Sequence, residues 1–69
     1  MKLPVLSAGN VIKVLTKHGY VVHDQKGSHI HLRNPVRPPL TVPNHREIAK
    51  GTLKAIIAAS GIPLEEFVK

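Results

Sequence analysis

The chain contains no cysteine, which excludes disulfides and thiolate zinc sites as supplements to its stability. It has no tryptophan and only one tyrosine and one phenylalanine, so its interior must be built from Val, Ile, Leu and Ala. Acidic residues are scarce, with four Asp+Glu against ten Lys+Arg, and the formal net charge is +6 with the five histidines neutral. No Asp/Glu cluster offers a magnesium site: Glu47, Glu65 and Glu66 lie near or within predicted helical segments, and Asp24 stands alone. No apolar run approaches the ~20 residues of a membrane span, and the N-terminus lacks a signal-peptide pattern. These absences lead to the expectation of a cytoplasmic protein with no membrane partner.

What remains is 69 residues, which the sequence reading assigns to a single small domain, residues 1–69, near the lower limit for folding on one hydrophobic core. Such an excess of positive charge on so small a surface favours a polyanion, nucleic acid above all, as partner.

Along the chain, Met1 to Leu6 forms a short lead-in in which Pro4 disfavours helix. Ser7 is suited to N-cap a helix from Ala8 to His18, with Val11, Ile12 and Leu15 facing the core and Lys13 and Lys17 outward. Gly19 ends that helix. Tyr20 to Gln25 reads as a strand, with Tyr20, Val22 and Asp24 on one face and Val21, His23 and Gln25 on the other. Lys26-Gly27-Ser28 turns the chain into a second strand, His29 to Arg33. A basic, proline-rich loop then leads to a third short strand, Leu40 to Val42. The segment Asn44 to Lys50 is ambiguous between loop and helical turn. Thr52 is the expected N-cap of a second helix carrying Leu53, Ile56 and Ile57, ending at Ser60-Gly61. Leu64 to Phe67 completes the chain as a short turn in which Leu64 and Phe67 pack together. The order α-β-β-β-α, with short connections, predicts an α+β fold. Its three-stranded antiparallel sheet has two helices on one face, the arrangement of the double-stranded-RNA-binding fold.

The chemistry-bearing element is Gly27-Ser28-His29 and the strand it opens. Side chains alternate along a strand, so His29, His31 and Arg33 share one face while Ile30 and Leu32 share the other. A titratable cationic face backed by an aliphatic one suits a protein that meets polyanions and transfers protons. The plainer reading is a surface histidine closing a turn. His31 and His45, with His23, are lesser candidates. A His-x-His pair joined by His45 is able to chelate a transition metal, but no carboxylate sits at a ligand-like spacing, and a solvated or phosphate-contacting role is favoured for all three. His45 is also a candidate second acid or base. Ser28 has no acidic partner nearby in sequence, which speaks against a serine nucleophile; it is expected to cap the turn. Lys26, Arg33, Arg37, Arg46, Lys50 and Lys54 form a candidate set of phosphate contacts. Lys50-Gly51-Thr52 at a helix start is able to present backbone N–H groups to a phosphate.

Several motifs, in order, resemble the HicA (YcfA-like) family of toxins. They are Gly19-Tyr20 after the first helix, Gly27-Ser28-His29, Thr41-Val42-Pro43 followed by His45, Lys50-Gly51-Thr52-Leu53 leading to Ile56, and Ser60-Gly61-Ile62 followed by Glu66-Phe67. His31 and the Pro38-Pro39 loop are less typical of that family. The resemblance implies an mRNA interferase with a double-stranded-RNA-binding-like fold, held inactive by a HicB-type antitoxin, the free toxin being a monomer. It also implies that His29, in the Gly-Ser-His motif, is the essential histidine. RNA carries its own nucleophile, the 2′-hydroxyl, so proton transfer and charge compensation suffice, with no metal or other cofactor. The alternatives are a module that binds double-stranded RNA without cutting it and a DNA-contacting regulatory subunit. The latter is disfavoured because no helix carries a helix-turn-helix pattern of base-reading cations.

Overall fold

Ser7 begins the first helix as its sequence position requires. Its hydroxyl accepts the Asn10 N–H at 3.1 Å, and the Asn10 side-chain oxygen accepts the Ser7 N–H at 3.3 Å. This reciprocal capping box satisfies donors that the helix itself leaves unpaired. The computed structural model describes residues 3–68; Met1 and Lys2 of the expected lead-in, and Lys69, lie outside them. Helix α1 spans Ala8–Lys17, strands β1, β2 and β3 span Val21–Lys26, His29–Arg33 and Leu40–Pro43, and helices α2 and α3 span Lys50–Ser60 and Leu64–Phe67. The three strands form one antiparallel sheet in the order β1-β2-β3.

The core lies on one side of that sheet. Ile30 and Leu32 of β2 and Leu40 and Val42 of β3 are buried against Ala8, Val11 and Leu15 of α1 and Leu53 and Ile56 of α2. Tyr20, Ile48, Ile62 and Phe67 close its margins. Phe67 joins the core as expected, whereas Leu64 is only half-buried and lines a separate hollow with Leu3, Lys54, Ile57 and Ala58. The alternation expected for β2 holds: Ile30 and Leu32 are buried, and His29 and Arg33 are exposed on the opposite face with His31 half-buried.

Strand β1 differs from its expected form in two respects. It begins at Val21, leaving Tyr20 before the strand as a buried anchor whose hydroxyl donates to the Pro38 carbonyl at 3.0 Å. Its pairing with β2 also shifts between Val22 and Asp24, so His23 is the extra residue of a β-bulge. Directly paired residues share a face. Val22 therefore lies opposite Leu32 while Asp24 lies opposite His31, and Asp24 does not share Val22's face as strict alternation predicts. No residue of β1 is buried. Its two valines are adjacent rather than alternating, and the polar run after them offers the core nothing to cover.

The second helix starts at Lys50, not after an N-cap at Thr52, and its N-cap residue Ala49 supplies no side-chain hydrogen bond. Tertiary contact replaces the cap. Ile48 is buried and its N–H donates to the Leu6 carbonyl at 2.9 Å, which pins the chain where the helix begins.

Burial raises the Tyr20 phenol pKa above its ordinary value, with the Arg37 charge opposing the shift. Tyr20→Phe should cost about 1 kcal/mol, the net worth of one hydrogen bond, and lower Tm by roughly 4–8 °C at this chain size. Thermal unfolding followed by circular dichroism measures it; an unchanged Tm would show that the Pro38 contact contributes nothing.

Candidate functional site

The Gly27-Ser28 turn builds the site. Gly27 has φ 58° and no non-glycine residue has positive φ among the described residues, the pattern of a two-residue type II′ hairpin with glycine first. A two-residue loop makes Lys26 and His29 the closing pair, and the next partners are Gln25 with Ile30 and Asp24 with His31. The turn is held from the other side as well, because the Asn44 N–H donates to the Ser28 carbonyl at 2.6 Å. Ser28 acts here through its backbone; its hydroxyl has no hydrogen-bond partner among the described residues.

On β3, His29 lies opposite Pro43 and His31 opposite Thr41. The face turned away from the core thus carries Lys26, Asp24, His29, His31, Arg33 and Thr41. Two hollows mark it. One, of about 330 Å³, is lined by His29, Thr41, Pro43, His45, Ala49 and Thr52. The other, of about 490 Å³, is lined by Asp24, His31, Lys26, Arg33 and Thr41 together with His23 and residues of the Pro39 segment. Thr41 borders both.

His45 reaches the first hollow because its backbone is fixed. Its N–H donates to the Pro43 carbonyl at 2.8 Å, and its carbonyl accepts the Ala8 N–H at 2.9 Å. That second bond serves one of the unpaired donors at the start of α1. The His45 ring itself has no hydrogen-bond partner among the described residues. His31 is different. Its Nδ1–H donates to Asp24 Oδ1 at 2.5 Å, and His23 Nε2 lies 3.9 Å from the other carboxylate oxygen. The His31 hydrogen bond holds the Asp24 carboxyl below its usual pKa range; partial burial opposes that shift, and the charges of His31, His23 and Lys26 add to it. Asp24 is therefore not the lone acid that its sequence surroundings suggest. Its signal was present in the sequence: counting outward from a two-residue turn pairs it with His31, whereas a three-residue turn at Lys26-Gly27-Ser28 sets it opposite Ile30.

The expected cations separate. Lys26 and Arg33 border the second hollow. Arg46 is exposed in the loop after β3, and Lys50 opens α2 beside Ala49 and Thr52 of the first hollow. Lys54 points elsewhere, into the hollow formed with Leu3, Ile57, Ala58 and Leu64. Arg37 lies against the far end of α2. A Cβ placed on Gly61, which has φ 70°, would come within 2.5 Å of its guanidinium carbon, and a cation is favoured at that carbonyl-rich terminus. No group of three or more His, Cys, Asp or Glu side chains is placed to hold a metal ion among the described residues, so His31 and His45 are not brought into a three-histidine cluster.

Residues 9–62 match the family described as HicA toxin of bacterial toxin-antitoxin. The chain belongs to the HicA toxin family. A solved chain from a toxin–antitoxin complex of Streptococcus pneumoniae is similar to it, with 31% identity, a TM-score of 0.74, and coverage of 83% of this chain and 98% of that one. No curated protein matches. The HicA chain is thus a toxin of a toxin–antitoxin system, and its α+β arrangement is the double-stranded-RNA-binding-like one expected of the family. No helix among the described residues is long and apolar enough to cross a membrane.

A carboxyl whose pKa is lowered in the folded state contributes stability that is present above its unfolded pKa, about 3.9, and lost as pH falls through the folded value. Asp24 should therefore titrate below about 3.9 by carbon-detected NMR, and His31→Leu should move its midpoint upward. A midpoint that ignores His31→Leu would show that the pair does not form in solution.

Proposed function

We propose that this HicA toxin is an endoribonuclease, a single-domain mRNA interferase that cuts without a metal and is neutralised by a HicB-type antitoxin. The observation that carries the reading is His29, an exposed imidazole at the closing pair of a hairpin, with Lys26 across from it and a hollow beside it. RNA supplies the 2′-hydroxyl nucleophile. His29 transfers a proton in the attack on phosphorus, and neighbouring cations compensate the charge that grows on the phosphoryl oxygens. Lys26, the cross-strand partner of His29, and Arg33 are cations of the open face, Lys50 opens α2 beside the His29 hollow, and Arg46 is exposed in the loop after β3. The first-turn N–H groups of α2, which lack a side-chain cap, add a second phosphate-facing element. Arg37 and Lys54, turned to other surroundings, contribute through the general field. His45 lines the His29 hollow and is a second candidate for proton transfer. The antitoxin partner of the S. pneumoniae relative supports an inhibitor that covers this basic face, and complementary charge would speed the encounter. The free toxin is a monomer in this reading.

Expression of the wild type should arrest growth and deplete intact mRNA, while His29→Ala, which removes no buried side chain, should do neither. Purified wild type should cleave RNA in excess EDTA, and His29→Ala should lose ~10²–10⁴ in rate, the usual worth of a positioned acid–base group. Toxicity of His29→Ala at equal expression would overturn the reading in favour of a module that only binds RNA. Activity abolished by EDTA and restored by a divalent ion would overturn the metal-free part.

Affinity for unrelated RNAs should fall steeply with salt, since phosphate neutralisation releases condensed counterions, and Lys50→Glu should weaken binding to all of them alike. Affinity that stays flat from low to moderate salt would assign the net charge of +6 to solubility.

A further inference from the structure

We propose that His31, oriented by Asp24, is the general acid of the same reaction, and that His29 is its base, with the scissile phosphate seated over Thr41 between the two rings. The inference rests on the ribonuclease reading above and adds to it a second catalytic residue, a positioning residue and a direction for the proton.

Three observations converge. First, His29 and His31 stand two residues apart on one face of β2, which sets their Cα atoms about 6.6 Å from each other. That spacing admits a phosphoryl group between the rings. Second, the hollows that the two histidines line meet at Thr41, the cross-strand partner of His31. A single RNA strand crossing from one hollow to the other must pass over Thr41, in reach of both imidazoles. Third, the rings have different neighbours. Lys26 is the cross-strand partner of His29, whereas the Asp24 carboxylate accepts the Nδ1–H of His31. A carboxylate at Nδ1 fixes the tautomer, leaves Nε2 as the exchanging nitrogen, and compensates the charge of an imidazolium. An imidazolium held in this way is equipped to act as the acid. His29 has no carboxylate partner among the described residues and takes the part of the base, with Lys26 across the ladder placed to compensate the charge that grows on the phosphoryl oxygens. His23 and Arg33 also border the His31 hollow; His23 flanks the second oxygen of Asp24 and Arg33 extends the phosphate track.

The step then balances. The 2′-oxygen forms a bond to phosphorus as its proton passes to His29 Nε2 or Nδ1. The bond from phosphorus to the 5′-oxygen breaks as that oxygen takes the proton from His31 Nε2. The products are a 2′,3′-cyclic phosphate and a 5′-hydroxyl, with no co-reactant consumed. The bulge at His23 follows directly on the Asp24–His31 pair, which ends the regular ladder counted from the turn, and bulges commonly re-aim a strand beside a site.

The experiment compares an ordinary RNA oligonucleotide with one whose leaving 5′-oxygen is replaced by sulfur, since a thiolate departs without protonation. On the ordinary substrate His31→Gln and His31→Ala should each lose ~10²–10⁴-fold, and on the sulfur substrate both should return to within about threefold of wild type. Asp24→Asn should show a smaller loss, roughly tenfold to a hundredfold by analogy with the orienting partners of catalytic histidines, and the same rescue, which a merely structural role would not produce. His29→Ala should remain impaired on both substrates. Equal impairment of His31→Gln on the two substrates, wild-type rates on both, or rescue that follows His45→Ala instead would each overturn the assignment while leaving the ribonuclease reading intact. Absence of any cleavage by the wild type would remove that reading and this assignment with it.

Discussion

The register that the Gly27-Ser28 turn imposes on β1 and β2 governs the rest of the site. With two residues in the loop, Lys26 closes against His29 and Asp24 meets His31. Side chains alternate along the ladder with a period of two, so a slip of one residue would carry every side chain of β1 to the other face. Glycine at the first loop position supplies the positive φ that this tight return demands. The turn is also tied to the strand on the far side through the Asn44 N–H and the Ser28 carbonyl, so β3 and the loop to α2 are placed by the same element.

From that register follows a division of labour between the two faces of the sheet. One face buries Ile30, Leu32, Leu40 and Val42 beneath two helices, and the hydrophobic effect of this aliphatic core drives folding. The other face is covered by no helix among the described residues and carries the imidazoles of His29 and His31 with Lys26 and Arg33. A chain with so few carboxylates cannot neutralise this face internally. Asp24, the carboxylate on this face among the described residues, is already engaged with His31. The remaining positive charge is directed outward, as suits a toxin whose substrate is proposed to be a polyanion and whose antitoxin is proposed to cover the same surface.

Strand β1 has a particular position in this scheme. It buries none of its residues and is held by its ladder to β2 and by Tyr20, which anchors the chain just before it. An element with little buried area depends on local hydrogen bonds for its order. The Asp24–His31 pair therefore does two things in one place: it ties the outer strand to the central one and orients an imidazole.

Much of this was legible without coordinates. The spacing of Val11, Ile12 and Leu15, the cap at Ser7, the alternation in His29 to Arg33 and the stripe from Leu53 to Ile57 are local periodicities, and local periodicity specifies elements and their inward faces. The order and spacing of the Gly-Ser-His and neighbouring motifs pointed to the HicA family and singled out His29. The start of α2 was not legible, because no side chain caps it; a buried Ile48 and its bond to Leu6 begin that helix, and both depend on segments distant in sequence. The destination of Arg37 at the end of α2 is likewise a matter of packing.

The chain by itself determined which residues face the core, which face water, and where a titratable histidine stands at a turn. Only the tertiary structure decided which polar residues meet. Asp24 reaches His31 because the turn between β1 and β2 has two residues rather than three, and His45 reaches the His29 hollow because its carbonyl caps α1. Hydrophobic periodicity records neither, since turn length and a backbone cap are matters of hydrogen-bond geometry between segments that periodicity treats separately.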